Sequence, residues 1–279
     1  RQSFFILRFV FGLTDYQIGI YPMNDFLAEY TAEGRWVRQQ RIRLSREEKL
    51  NILRAIDENN QPENRTYRYN FFFDNCTTRA REMVLQAIGS SNTNFSNINT
   101  HSSYRQEIHL LNSEHPWARF GNDLLLGVMA DQDIDRREWE FLPDNLSKDF
   151  DTEGRKDFGI QTNPSMEATN IAEGYITLVD STFYLIHPQQ AKAATTGANG
   201  FTATPREIAY FLLLIIMGLT LYEVYSKKNL WWLDTILLVL TGLPGLILLA
   251  MVFSQHPTVQ LNYQMLMLNP LNLIFVWKM

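Results

Sequence analysis

The spacing of apolar residues changes character several times along this 279-residue chain, and each change predicts a different element. In TYRYNFFFDNCTTRAREMV, residues 66–84, Tyr67, Tyr69, Phe71 and Phe73 alternate with Arg68, Asn70 and Phe72. That period of two predicts a strand with one fully apolar face. From Thr77 the period lengthens: Ala80, Met83, Val84, Ala87 and Ile88 recur at helical spacing, and Gly89 follows as a stop. Asp74 and Asn75 are good N-cap residues, so Cys76 falls in the first helical turn. Earlier, FFILRFVFG and DYQIGIYP read as strands or short helices, and EGRWVRQQRIRLS reads as a strand. Ser45 and Glu48 form a capping box for a helix through about Asp57, with Leu50, Leu53 and Ile56 on one face. Residues 124–129 make a short apolar run, and YITLVDSTFYLI reads as a strand or hairpin.

Two longer apolar runs follow. Residues 208–225 hold one charge, Glu223, and residues 230–253 hold one, Asp234. Each is long enough to cross a bilayer, and neither carries the polar stripe of a buried amphipathic helix. A third stretch, 261–279, is interrupted by Asn262, Asn269, Pro270 and Asn272 and is expected as a further span. Tyr225, Trp231 and Trp232 suit the interface. Lys227 and Lys228, in the short SKKN loop, mark that loop as cytoplasmic, which places the first 200 residues and the SQHPTVQ loop outside the cytoplasm. Arg1 stands where a complete chain would have Met, and no signal-like segment precedes the domain, so the chain is expected to be part of a longer one. GSSNTNFSNINTHSS, residues 89–103, is a polar loop that suits a flap or plain disorder, and QQAKAATTGANGFTATP reads as a small-residue linker.

Charge follows the same division. After residue 200 there are four Lys/Arg and three Asp/Glu, so the first 200 residues carry 21 basic and 27 acidic groups. This is an ordinary, mildly acidic composition, and nothing in it suits nucleic acid.

Cys76 is the only cysteine. An exported domain lies in an oxidising compartment, where cysteines used for stability come in pairs, so a lone one turns attention to chemistry. At a helix start a thiol meets unsatisfied backbone N–H groups and the positive end of the dipole, both of which favour thiolate. The ordinary alternative is a buried structural thiol. A thiol nucleophile needs an imidazole within reach. The histidines are His101, His109, His115, His187 and His256, and their order along the chain assigns none of them as base. His101, His109 and His115 with Glu107 and Glu114 match no tight ligand spacing, and no metal site is expected. His256 lies in the external loop, at the level of a lipid headgroup; a His-Pro turn is its ordinary reading.

LTDYQIGIYP, PENRTYRYNFFFDNCTTRARE, HPWARFGNDLLLG and FLPDNL resemble the extracytoplasmic domain of the Lnb family, lipoprotein N-acyltransferases of a group of Gram-negative bacteria. SQHP and LNPLNL look like that family's membrane part. The resemblance covers most of the chain and is weakest around 90–114 and 151–204. It implies an α+β, papain-like thiol fold in the permuted arrangement also seen in lecithin:retinol acyltransferase-like proteins, where the catalytic histidine precedes the cysteine on a strand. The expected division is a catalytic domain over 1–188, incomplete at its start, a linker over 189–205 and a transmembrane part over 206–279. Cys76 would be the nucleophile, while the family's upstream histidine would lie before Arg1. This stretch of chain is therefore expected to lack its own general base.

The activity implied is transfer of a fatty acyl chain from a membrane phospholipid, through a Cys76 thioester, to the N-terminal amine of a diacylated lipoprotein. The expected location is the bacterial inner membrane, with the domain in the periplasm, and the chemistry needs no cofactor or metal. Arg68, Arg79 and Arg81 could hold a phosphate, with ordinary salt bridges as the alternative. Asn70, Asp74 and Asn75 would fix the turn. A periplasmic papain-like peptidase or amidase, or an anchored binding module with Cys76 in its core, are the competing readings.

Overall fold

A computed structural model describes residues 4–89, 93–94, 101–152, 154–156, 175–188 and 203–276. Residues 189–202 of the expected linker and 95–100 of the expected polar loop lie outside the described residues. The chain forms two compact units. One comprises Asp15–Thr100 and Asp135–Asn199; the other comprises Arg1–Thr14, His101–Ile134 and Gly200–Met279. This differs from the linear division expected at residue 188. The segment His101–Ile134 belongs with the C-terminal helices, through contacts that no local pattern announces.

The unit that carries Cys76 mixes helix and strand. In chain order it holds β1 (Asp15–Gln17), α1 (Met23–Ala32), β2 (Val37–Ile42), α2 (Arg46–Asn59), β3 (Thr66–Arg68), α3 (Cys76–Ile88) and β4 (Thr93–Asn94). It continues with α4 (Arg136–Trp139), α5 (Pro143–Thr152), β5 (Gly154–Lys156), β6 (Tyr175–Thr177) and β7 (Val179–Ile186). Three small antiparallel sheets result: β1 with β3, β2 with β7, and β4–β5–β6. The segment expected as a strand or hairpin is thus two strands that join different sheets.

Ile88 of α3, Phe150 of α5, and Leu178 and Val179 at the start of β7 form the buried core, with Ile42, Val84, Leu85 and Leu146 against it. Each side chain of this kind contributes roughly 1.5–3 kcal/mol on burial. The core therefore holds the far end of α3, while in its first turn Thr77 and Thr78 are also buried and Cys76 is exposed. The capping box of α2 forms as expected: Ser45 Oγ accepts from the Glu48 N–H, and Glu48 Oε2 accepts from the Ser45 N–H at 2.6 Å. The helix nevertheless turns Glu48 inward and leaves Leu50, Leu53 and Ile56 exposed.

In the second unit, Pro205–Ser226 and Trp231–Met251 are long and apolar enough to cross a membrane, with mean hydropathy of 1.9 and 2.1. Both expected spans are present as helices, separated at Lys227, which takes a left-handed conformation. The third expected span is corrected. Among the described residues, 261–276 form a 3-10 turn, Tyr263–Leu266, and a short helix, Asn272–Val276, rather than one spanning helix. The polar residues that interrupt the run make the difference. Asn262 Nδ2 donates to the Leu124 carbonyl at 2.8 Å, Asn269 Oδ1 accepts from the Leu271 N–H, and Asn272 Nδ2 donates to Thr241 Oγ1 at 2.8 Å. Gly242 and Gly245 let this segment close on the second helix, since a Cβ at Gly245 would lie 2.4 Å from the Leu268 carbonyl oxygen. Irregular backbone beside an apolar helix is tolerated where protein satisfies its polar groups.

Candidate active site

The turn before Cys76 is built by two asparagines. Asn70 Oδ1 accepts from the N–H groups of both Phe72 and Phe73 at 3.2 Å, and the Asn70 and Asp74 backbones exchange a pair of 3.0 Å hydrogen bonds. The strand expected over 67–73 is therefore corrected: β3 stops at Arg68, and 71–73 turn. The side chain of Asn70 supplies the acceptor that backbone pairing would otherwise require. Phe72 points into the core, with its ring edge-on to Phe141 at 5.2 Å.

Asn75 then caps α3. Its Oδ1 accepts from the Thr77 and Thr78 N–H groups at 2.8 and 2.9 Å, and its own N–H donates to Thr78 Oγ1. Its Nδ2 donates to the carbonyls of Phe71 and Phe141, both at 3.0 Å. Asn75 is buried and fully engaged, while the next residue, Cys76, is exposed as a free thiol at the first helical position. A helix start leaves N–H groups unsatisfied. Here the cap takes those of Thr77 and Thr78, and the Cys76 N–H has no partner among the described residues. Of the helix-start N–H groups expected beside the thiol, this one remains available.

Three tyrosines of the same unit lie within electrostatic reach of the thiol. Tyr16 stacks on Tyr69 with ring centroids 4.1 Å apart, and Tyr16 and Tyr67 face each other across β1 and β3. Burial first, and then charge on Cys76, push the phenols of Tyr16 and Tyr67 above their ordinary range; Tyr69 is raised further, by burial, Tyr16 and Cys76 in that order. All three are therefore neutral phenols near pH 7, able to donate hydrogen bonds and unfit to act as bases. Tyr16 was invisible to sequence reasoning, because its approach depends on strand pairing across 50 residues. Tyr67 and Tyr69 stand in the aromatic alternation, whose period of two predicts a strand face and nothing of the thiol.

The arginines all have partners within this unit. Arg68 Nε lies 2.7 Å from Asp15. Arg79 grips Asp74 with two hydrogen bonds, of 2.6 and 2.9 Å, and its guanidinium lies 3.7 Å from the centre of the Tyr67 ring. Arg81 is buried and binds Glu82, Glu140 and the Arg137 carbonyl. The histidine of this unit, His187, lies beside Tyr184 at the end of β7.

His256 belongs to the other unit and is buried. It precedes the short Pro257–Gln260 helix, and its Nε2 lies 3.0 Å from the Phe9 carbonyl oxygen. Its neighbours Ser254 and Gln255 bond to Val10 and Phe11, so the SQHP segment stitches residues 9–11 to this loop. His109, in the same unit, is hydrogen-bonded to Asp123 at 2.6 Å, and Asp123 also receives Arg105.

Two family models match the chain: the Lnb N-terminal periplasmic domain over residues 1–107 and the Lnb transmembrane domain over residues 196–279. No curated protein and no solved structure matches it. The first match contains the whole turn from Asn70 through Cys76, and the second contains both long apolar helices. The chain belongs to the Lnb family, membrane proteins of lipoprotein biogenesis in which a periplasmic N-terminal domain is joined to a transmembrane part.

Proposed function

We propose that this protein is an acyltransferase whose Cys76 carries a fatty acyl chain from phospholipid to a lipoprotein. Family membership points to a lipoprotein-modifying enzyme. The observation that carries the reading is the first turn of α3: an exposed thiol whose own N–H is unspent, on a turn whose other polar groups are engaged.

In the first step the Cys76 sulfur attacks an ester carbonyl carbon of a phospholipid. A C–S bond forms, the ester C–O bond breaks, and the lysophospholipid leaves as an alcohol with the proton the thiol gave up. The Cys76 N–H is placed to donate to the oxyanion of the tetrahedral intermediate. In the second step the α-amine of a diacylglyceryl-cysteine attacks the thioester; an amide C–N bond forms, the C–S bond breaks, and the proton the amine gives up returns the departing sulfur to the thiol. A thioester suits this sequence because it holds the acyl chain until an amine arrives and then departs readily. The neutral tyrosines offer an aromatic wall and donors for the incoming ester. In this reading the cysteine unit is a papain-like domain in the periplasm, and the apolar helices anchor it in the inner membrane, where both substrates reside.

Intact mass spectrometry of the full-length protein in detergent with phospholipid tests this. The expected result is a hydroxylamine-labile fatty acyl adduct on Cys76 that is absent from Cys76→Ser. A peptidyl adduct would make the protein a thiol peptidase. No adduct, together with a thiol inert to mild alkylation, would make Cys76 structural.

A further inference from the structure

The polar network behind α3 has no role in the reaction as described, yet it holds the two ends of the reactive turn. Arg81 lies one and a half turns along the same helix as Cys76 and is buried. Its guanidinium donates to Glu140 at 3.1 Å, to the Arg137 carbonyl, and to Glu82 at 2.7 Å, and Glu82 also receives Arg137. The next residue after Glu140, Phe141, accepts the Asn75 Nδ2 bond through its carbonyl and packs its ring on Phe72. One short segment, 137–141, therefore grips the helix at Arg81 and the turn at Asn75, on either side of Cys76. That segment is held in turn: Arg136 pairs with fully buried Asp149 of α5 and lies 3.8 Å from Glu140, and Asn145 Nδ2 donates to the Trp139 carbonyl.

We propose that Glu140 is a positioning residue for the Cys76 nucleophile. Through Arg81 it locks the 137–141 segment onto α3, and that segment fixes the direction of the Asn75–Cys76 turn. The inference rests on the reading of Cys76 as nucleophile and adds the groups that aim it. The charged groups facing Glu140 are Arg81 and Glu82 from α3, Arg136 and Arg137 from α4, and Asp149 from α5. Burial first, and then the neighbouring Asp149, push Glu140 up to about 8 against the pull of Arg81 and Arg136. Protonated or not, the Glu140 carboxyl offers Arg81 an acceptor oxygen, and that oxygen is what the positioning requires.

Two variants of the full-length protein test this. Glu140→Gln keeps an acceptor for Arg81. Arg81→Met combined with Glu140→Leu removes the pair and fills its space with apolar atoms, an exchange that often leaves stability unchanged or improved. The readouts are the thermal midpoint, the rate of Cys76 alkylation by iodoacetamide, and the rate and half-saturating phospholipid concentration of acyl adduct formation. For the double variant we expect an unchanged midpoint, alkylation and acylation slowed roughly tenfold or more, and the same half-saturating concentration. Glu140→Gln should stay within roughly threefold of the parent in both rates.

A folded double variant that reacts at the parent rate would overturn the positioning role. So would unfolding of both variants, which would make the cluster a folding element. Alkylation reads the thiol whether or not it accepts an acyl chain. Slowed alkylation in the double variant, with no acyl adduct on the parent chain, would therefore sink acyl transfer and leave the positioning role standing.

Discussion

Cys76 and His256 each stand at the start of a helix, next to a residue that governs the turn, and the protein treats them in opposite ways. Before Cys76, Asn75 spends both ends of its amide on the backbone and disappears from the surface, while the thiol next to it stays exposed. At His256 the side chain of interest is itself the tie: its ring meets the Phe9 carbonyl, and the residue is sealed from solvent. Chemistry-bearing residue types are common to both turns. The difference lies in which side chain the local hydrogen bonds consume. Cys76 is the side chain left over once its neighbours have satisfied the backbone, whereas Arg79 and Arg81 are held in ion pairs.

The comparison is broken most severely at the thiol. Cys76→Ser should abolish the labile adduct and lipoprotein acylation entirely while leaving the melting temperature nearly unchanged, because an exposed sulfur contributes little packing. A large loss of stability in that variant would place Cys76 among the structural residues. Asn75, which holds the turn, comes next. Asn75→Ala removes the cap and takes away the Nδ2 donor shared by the Phe71 and Phe141 carbonyls, an expected cost of about 2–3 kcal/mol in chemical denaturation. Asn75→Asp keeps the acceptor that serves Thr77 and Thr78 and loses the two donated bonds, so it should recover the cap's share and no more.

These residues also show what the sequence made legible. The start of α3 at Cys76, its stop at Gly89 and the Ser45–Glu48 box are decided within four residues of chain, and the expected bounds hold. The strand over 67–73 failed because alternation alone does not distinguish an extended face from an aromatic turn. Asn70 satisfies two N–H groups from one side chain, and Phe72 then gains more by burying against Phe141, 69 residues away, than by lying in a ladder. The third span failed for a related reason: Asn262, Asn269 and Asn272 find carbonyl, N–H and hydroxyl partners inside the fold, which a hydropathy sum cannot foresee. Tyr16 beside Tyr69, Glu140 beneath Arg81, and the association of His101–Ile134 with the C-terminal helices are products of tertiary pairing.

His256 should respond to substitution and to pH as a structural group. Burial lowers its pKa, with the Phe9 carbonyl bond acting weakly in the opposite sense. The unfolded chain therefore binds a proton more readily than the folded one. The stabilisation from a neutral His256 is complete above about pH 6.5 and declines as pH falls below that value. His256→Ala should cost about 2–4 kcal/mol and flatten this part of the stability profile, with the adduct still forming on Cys76 in the folded fraction. If adduct formation vanished in a variant that melted normally, His256 would have to be counted with the chemistry.

The smallest expected effect sharpens the comparison where it is closest. Arg79 carries the same charge as Arg81, two residues away, but its pair with Asp74 is more than a third exposed on both sides. Solvent screens such pairs to about 0.5–1 kcal/mol even with bidentate geometry, and contact with the Tyr67 ring adds a comparable amount at most. Arg79→Ala should accordingly lower stability by about 1 kcal/mol, and added salt should narrow the gap from the parent, because screening weakens only the protein that still has the pair. Acylation kinetics give the more informative reading. If Arg79 serves only the turn, half-saturation for phospholipid should stay constant and the rate should fall slightly. A severalfold rise in half-saturation for anionic phospholipid, at unchanged stability, would mean that Arg79 exchanges Asp74 for a phosphate when substrate arrives. The exposed arginine would then be part of the binding machinery and the buried one part of the scaffold.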